Sequence, residues 1–181
     1  MIWGLGQEEK SEKDIPNEKV KRYFDGDKTI STTGEWTCSF EKDKDGDHLY
    51  KGGIAASGKL KSVNFSFYVL DRGLLCQTSA PVGVPEEYRQ KMYELLSHCN
   101  MTTVNGAFIL DPRDGELLFK AFTEGIGASK IEGTDFGDKI MDPLLLGSMS
   151  TWNRYGDAFM SLIFGFADDI SAEELYEKCV K

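Results

Sequence analysis

Apolar positions recur at two different spacings along the chain, and each change of spacing marks an element. After Pro16, the residues Val20, Tyr23 and Phe24 fall at helical spacing and Gly26 follows, which predicts a short first helix. "EWTCSF" then alternates Trp36, Cys38 and Phe40 with Thr37 and Ser39, the period-two pattern of a half-buried strand, and "KDKDGD" after it is turn chemistry. "SVNFSFYVLD" places Val63, Phe65, Phe67 and Val69 on one face of a second strand, and "DRG" turns the chain into a third, "LLCQTSA". "VPEEYRQKMYELLSHCN" opens with Pro85 and two glutamates at the positive end of a helix dipole. Its Tyr88, Met92, Leu95, Leu96 and Cys99 share one stripe, so it reads as a second helix.

"GAFILDPRDGELLFKAF", residues 106–122, holds two alternating runs around D-P-R-D-G and predicts a hairpin of strands four and five. The next fifteen residues, 123–137, carry four glycines and no period, longer than most connections in compact domains. Asp142 and Pro143 suit a helix cap and first position, ahead of a long helix with Leu145, Met149, Trp152, Phe159 and Ile163 on one face. Gly147 and Gly156 inside it each cost about 1 kcal/mol relative to Ala, so close packing is expected to compensate them. "SAEE" from Ser171 is a capping-box pattern before a short terminal helix. The order α-β-β-β-α-β-β-α-α lacks the strand-helix alternation of a parallel sheet. It predicts an α+β domain over residues 15–181, with an antiparallel five-stranded sheet, helices packed on one face and a flexible tail over 1–14.

Composition narrows the function. With 40% apolar residues in 181 the chain can bury a core, and 30 acidic against 21 basic residues give a net charge of −9 that repels phosphate backbones. Nucleic acid is therefore not an expected partner. The four cysteines are widely spaced, with no C-x-x-C, and read as reduced core thiols. Neither a signal peptide nor a run of about 18 apolar residues is present, so a cytoplasmic protein without a membrane partner is expected.

Chemical motifs do not complete. In "EKDKDGDHLYKG", a calcium loop starting at Glu41 would need a bidentate Glu where Gly52 stands. "EGIGASK" has Lys130 where the third glycine of a dinucleotide fingerprint belongs, and His98 beside Cys99 diverges from it on a helix, with His48 in a turn. Asp111, Asp114 and Glu116 around Pro112 and Gly115 form a hairpin bend, whose exposed tip does not raise a carboxylate's pKa for acid-base work. No catalytic residue, metal or cofactor is expected, and an enzyme is not.

What remains is surface. If Phe108, Leu110, Leu117 and Phe119 face the helices, alternation sends Ile109, Leu118 and Phe122 to the opposite side, where a one-sided helix layer leaves them uncovered. An exposed apolar patch marks an interface, so these three are the candidate site for a protein partner or a second copy of the chain. The alternative is a small-ligand sensor, with residues 123–137 as a lid over Trp152, Tyr155 and Arg154.

Four stretches, "VGVPEEYRQKMYELLSHCN", "NGAFILDPRDGELLFK", "MDPLLLGSMSTWNRYGDAFMSLIFG" and "ISAEELYEKCV", taken in order, resemble the YbjN family from residue 82 onward. Residues 16–80 agree with it in element order only. The resemblance implies a fold similar to that of type III secretion chaperones and a role as a sensory-transduction regulator, and it brings no catalytic residues. Gly156 stands where a bulkier apolar residue is common in the family.

Overall fold

The computed structural model describes residues 14–30, 36–42, 48–70, 73–124 and 130–181. The N-terminal tail, the Asp-rich turn at 43–47 and the glycines of 125–129 lie outside these residues. Helix α1 (Asp14–Phe24) is followed by strands β1 (Cys38–Lys42), β2 (His48–Ala55), β3 (Ser62–Leu70) and β4 (Gly73–Ser79). Helix α2 (Arg89–Thr102), entered through a 3-10 turn at Glu86–Tyr88, leads to β5 (Ala107–Leu110) and β6 (Leu117–Glu124). Helices α3 (Asp142–Ile163) and α4 (Ala172–Val180) complete the chain. The strands form one antiparallel sheet in the order β1-β2-β3-β4-β6-β5.

The sheet thus has six strands, not the expected five. The additional one is β2, which starts at His48, expected in the turn, and runs through residues to which the pattern had assigned no element. Two glycines interrupt its alternation, and Gly52 is required: a Cβ there would lie 2.6 Å from the ring of Phe65. The other elements form where the pattern puts them. Gly26 takes φ 73° and ends α1 with the paired bonds Asp27 N–H to Arg22 O and Gly26 N–H to Tyr23 O, the geometry that only a residue without Cβ adopts cheaply. At α4, Ser171 Oγ accepts from Glu174 N–H and the Glu174 carboxylate accepts from Ser171 N–H, closing the capping box.

One expected cap is absent. Residues Gly137–Met141 are already wound as a π-type turn continuous with α3, so Asp142 lies inside the helical run, and its carboxylate accepts a hydrogen bond from Tyr23 at 2.5 Å. The bond ties the first helix to the third across the core.

Helices α1, α2 and α3 bury their apolar faces against one side of the sheet, and α4 packs on α2 and α3. Val63, Phe65, Phe67, Val69, Leu74, Cys76, Phe108, Leu110, Leu117 and Phe119 join the buried helical residues in one cluster. Phe24 stacks on Tyr50 and Phe65 at 4.8 and 5.8 Å at one end, and Trp152, wholly buried, meets Phe108 edge-on at 5.0 Å at the other. Each such side chain contributes about 1.5–3 kcal/mol by burial. Gly156 accommodates Leu60, which would lie 3.0 Å from a Cβ there, whereas Gly147 has nothing within 4 Å. The expected close packing therefore holds at Gly156 and not at Gly147.

Candidate functional site

The face of the sheet away from the helices is assembled by strand register. Leu49 pairs with Tyr68, Tyr68 with Leu75 and Leu75 with Phe122, so four apolar side chains stand in a row across β2, β3, β4 and β6. Directly opposed residues on one face have Cβ atoms about 5 Å apart, close enough for the row to be continuous. A parallel row, Lys51, Ser66, Gln77 and Lys120, is polar. Beyond it Ser79 pairs with Leu118 and Leu118 with Ile109.

Ile109, Leu118 and Phe122 point away from the helices, as alternation requires, but they are not equivalent. Phe122 is 52% and Ile109 40% exposed, while Leu118 is only 7% exposed. The expectation that Leu118 is open is corrected. It lies between Ser79 and Ile109, beside the segment Ala80–Val84, which bonds along the start of β6 through Ala80 N–H to Leu117 O and Val84 N–H to Gly115 O. Leu49 is buried too, and Tyr68 and Leu75 are half-buried. Neither Leu49 nor Leu118 belongs to the helix-side core. The sequence reading missed Tyr68 and Leu75, although "FYVL" and "GLLC" each put an apolar residue at an outward position.

The second candidate set is not brought together as a ligand wall. Trp152 is in the core, its indole N–H bonded to Thr78 Oγ1 at 2.7 Å. Tyr155 is buried with its hydroxyl 2.9 Å from Thr102 Oγ1, and only Arg154 is exposed, its guanidinium 5.4 Å from the Tyr155 ring centre. Arg154 and Tyr155 do border a cavity of about 150 Å³ with Thr102, Ser150, Thr151 and Gly147, and Trp152 does not. The described part of the proposed lid is anchored elsewhere, with Lys19 Nζ donating to Ile131 O at 2.9 Å and Gly137 N–H to Ile30 O.

The hairpin bend carries no poised acid. Asp111 Oδ1 accepts from Arg113 N–H at 2.8 Å and its carboxylate pairs with the Arg113 guanidinium, which together hold the carboxyl at about 2, below its ordinary 3.8. Arg89 donates to Pro112 O at 2.9 Å and so fixes the bend to α2. All four cysteines are free, and burial pushes the Cys76 and Cys99 thiols up to about 12, away from nucleophilic use. His98 stacks on Tyr176, and His48 lies in β2 with its ring 5.4 Å from Phe40. Among the described residues no group of three or more potential metal ligands comes together, and no helix is long and apolar enough to cross a membrane.

The family model for YbjN proteins, described as "Putative bacterial sensory transduction regulator", matches residues 28–124, more than half of the chain. The match includes the first strands, where the sequence alone had suggested only a common element order, and it ends before α3 and α4. No curated protein and no solved structure matches the chain.

Proposed function

This chain belongs to the YbjN family, and from that premise we propose that it is a non-enzymatic regulator, chaperone-like in its mode of action, that binds a protein partner or a second copy of itself on the outer face of the sheet. The observation that carries this reading is the row Leu49–Tyr68–Leu75–Phe122, in register across four strands on the face opposite the helix-side core, with Ile109 exposed on the same face beyond the polar row of Lys51 and Lys120. A half-open apolar band of this kind gains free energy when a second surface removes it from water, about 25 cal/mol for each Å² covered.

The two lysines of the neighbouring row, Lys51 and Lys120, keep the band flanked by charge, which favours one docking register over indiscriminate aggregation. Leu118, on the same face but only 7% exposed, does not itself offer surface.

The experiment is co-purification from the native host of the wild-type chain and of a Leu75→Lys, Ile109→Glu double variant. Loss of the same bound protein, or of a self-associated form in sedimentation, from the double variant alone is the expected result. A bound protein retained by the folded double variant would refute the reading.

A further inference from the structure

The hydrogen-bonding parity of β6 leaves part of its backbone facing a cleft. Ala80 N–H bonds to Leu117 O, so in the β4–β6 ladder the odd-numbered residues of β6, including Ala121 and Thr123, direct their N–H and C=O groups at β4. The even-numbered ones face the other way. Leu118 and Lys120 meet Ile109 and Ala107 of β5, in agreement with Asp111 N–H donating to Glu116 O. But β5 begins at Ala107, opposite Lys120, and no described strand continues the ladder alongside Phe122 and Glu124.

The place that such a strand would occupy is a cleft of about 520 Å³. It is lined by Val104 to Ala107 at the end of β5, by Lys120, Phe122 and Thr123 along β6, and by Lys139, Ile140, Pro143 and Leu144 on the α3 side. Gly106 is where the chain leaves the ladder, and a Cβ there would sit 2.4 Å from the Lys120 carbonyl oxygen. The rest of the sheet's β5 edge is sealed, since Asn100 bonds both the N–H and the C=O of Phe108.

We propose that this cleft is a strand-addition site that takes an extended segment of a protein partner, paired to the backbone of Phe122 and Glu124. An unpaired ladder edge in a cleft dictates the occupant's conformation, because only an extended chain returns N–H and C=O groups at the right spacing. Alternation dictates its side chains. Residues opposite Ala121 and Thr123 enter the cleft toward Ile140 and Leu144 and are apolar, and the residue opposite Phe122 lies on the outer face.

Charge dictates the rest. The ionisable side chains of the lining are Lys120 and Lys139, with no carboxylate among the lining residues, in a chain of net charge −9. Lys139 also pairs with Asp135 at 2.8 Å, and Glu124 stands at the far end of the edge, so the segment carries its carboxylate at the Lys120 end. The site shares Phe122 and Lys120 with the outer-face reading and goes beyond it.

The test is amide hydrogen exchange on the full chain, alone and with an acetylated, amidated peptide of about nine residues alternating valine with threonine and glutamate. In the free protein the Phe122 and Glu124 amides are expected to exchange freely while those of Ala121 and Thr123 are protected. The peptide slows the first pair by about tenfold or more. The same peptide N-methylated at its edge-facing positions has no effect, and Lys120→Glu weakens binding by about two- to fivefold. The Leu75→Lys, Ile109→Glu variant, which leaves the cleft intact, still takes the peptide, so failure of the outer-face reading does not imitate failure here. Phe122 and Glu124 amides already protected in the free chain, protection that appears with protein concentration and no peptide, or equal binding of the N-methylated peptide, would each overturn the proposal.

Discussion

Asn100 and Phe108 exchange two hydrogen bonds, the carboxamide Oδ1 accepting from the Phe108 N–H at 2.8 Å and the Nδ2 donating to the Phe108 carbonyl at 3.0 Å. One side chain of α2 thus stands in for a missing strand and seals the β5 edge that would otherwise invite pairing. Replacing Asn100 with Leu leaves a donor and an acceptor of a buried residue unsatisfied, and a loss of about 1–3 kcal/mol in denaturant-induced unfolding is expected. Asn100→Asp keeps the acceptor and loses the donor, so it falls between the two.

Thr78 and Trp152 join α3 to β4 in the middle of the core. Thr78→Val keeps the shape but removes the acceptor of a wholly buried indole N–H. The expected cost is again about 1–3 kcal/mol. The double variant Thr78→Val, Trp152→Phe recovers part of it relative to the sum of the single changes, because both partners are then gone, and a double-mutant cycle measures that coupling.

The two glycines of α3 separate cleanly. Gly147→Ala meets nothing within 4 Å and removes the helix penalty of glycine, so thermal stability rises by about 0.5–1 kcal/mol. Gly156→Ala puts a methyl group 3.0 Å from Leu60 Cδ2 and 3.3 Å from Leu60 Cβ, and is expected to gain nothing or to destabilise. Calorimetry on both variants reads the difference.

Asp111 gives the fold a pH signature. Its folded pKa of about 2 lies below the ordinary 3.8, so its contribution to stability is complete above about pH 4 and is lost as pH falls toward 2. Asp27 behaves alike, held at about 2 first by the Thr29 N–H and then by the Thr29 hydroxyl and Arg22. Asp111→Asn is therefore expected to lower the melting temperature at neutral pH and to converge with the wild type near pH 2, with part of the acid slope remaining through Asp27.

Much of this was legible because local signals agreed with the fold. Gly26, the Ser171–Glu174 box and the alternation of Phe108 to Leu110 against Leu117 to Phe119 each act within a few residues of themselves. Strand β2 was not legible, since Gly52 is there for the Phe65 ring of another strand and hides the alternation that would have revealed it. The long gap between "EWTCSF" and "SVNFSFYVLD" was the available signal, because compact domains seldom leave such a stretch unstructured. Alternation fixed which way Leu118 points, and not its burial, which depends on the path of residues 80–84. The outer row needed register: Tyr68, Leu75 and Phe122 are neighbours only once β3, β4 and β6 are aligned.

Hydroxyl-radical footprinting of the purified complex against the free chain reads side chains one by one and so locates the docked surface. Tyr68, Leu75, Ile109 and Phe122 are expected to lose reactivity on binding, while Phe164 and Phe166, 57% and 72% exposed beyond the end of α3, keep theirs. The opposite pattern, an unchanged outer face with protection at Phe164 and Phe166, would rule out docking on the outer face of the sheet.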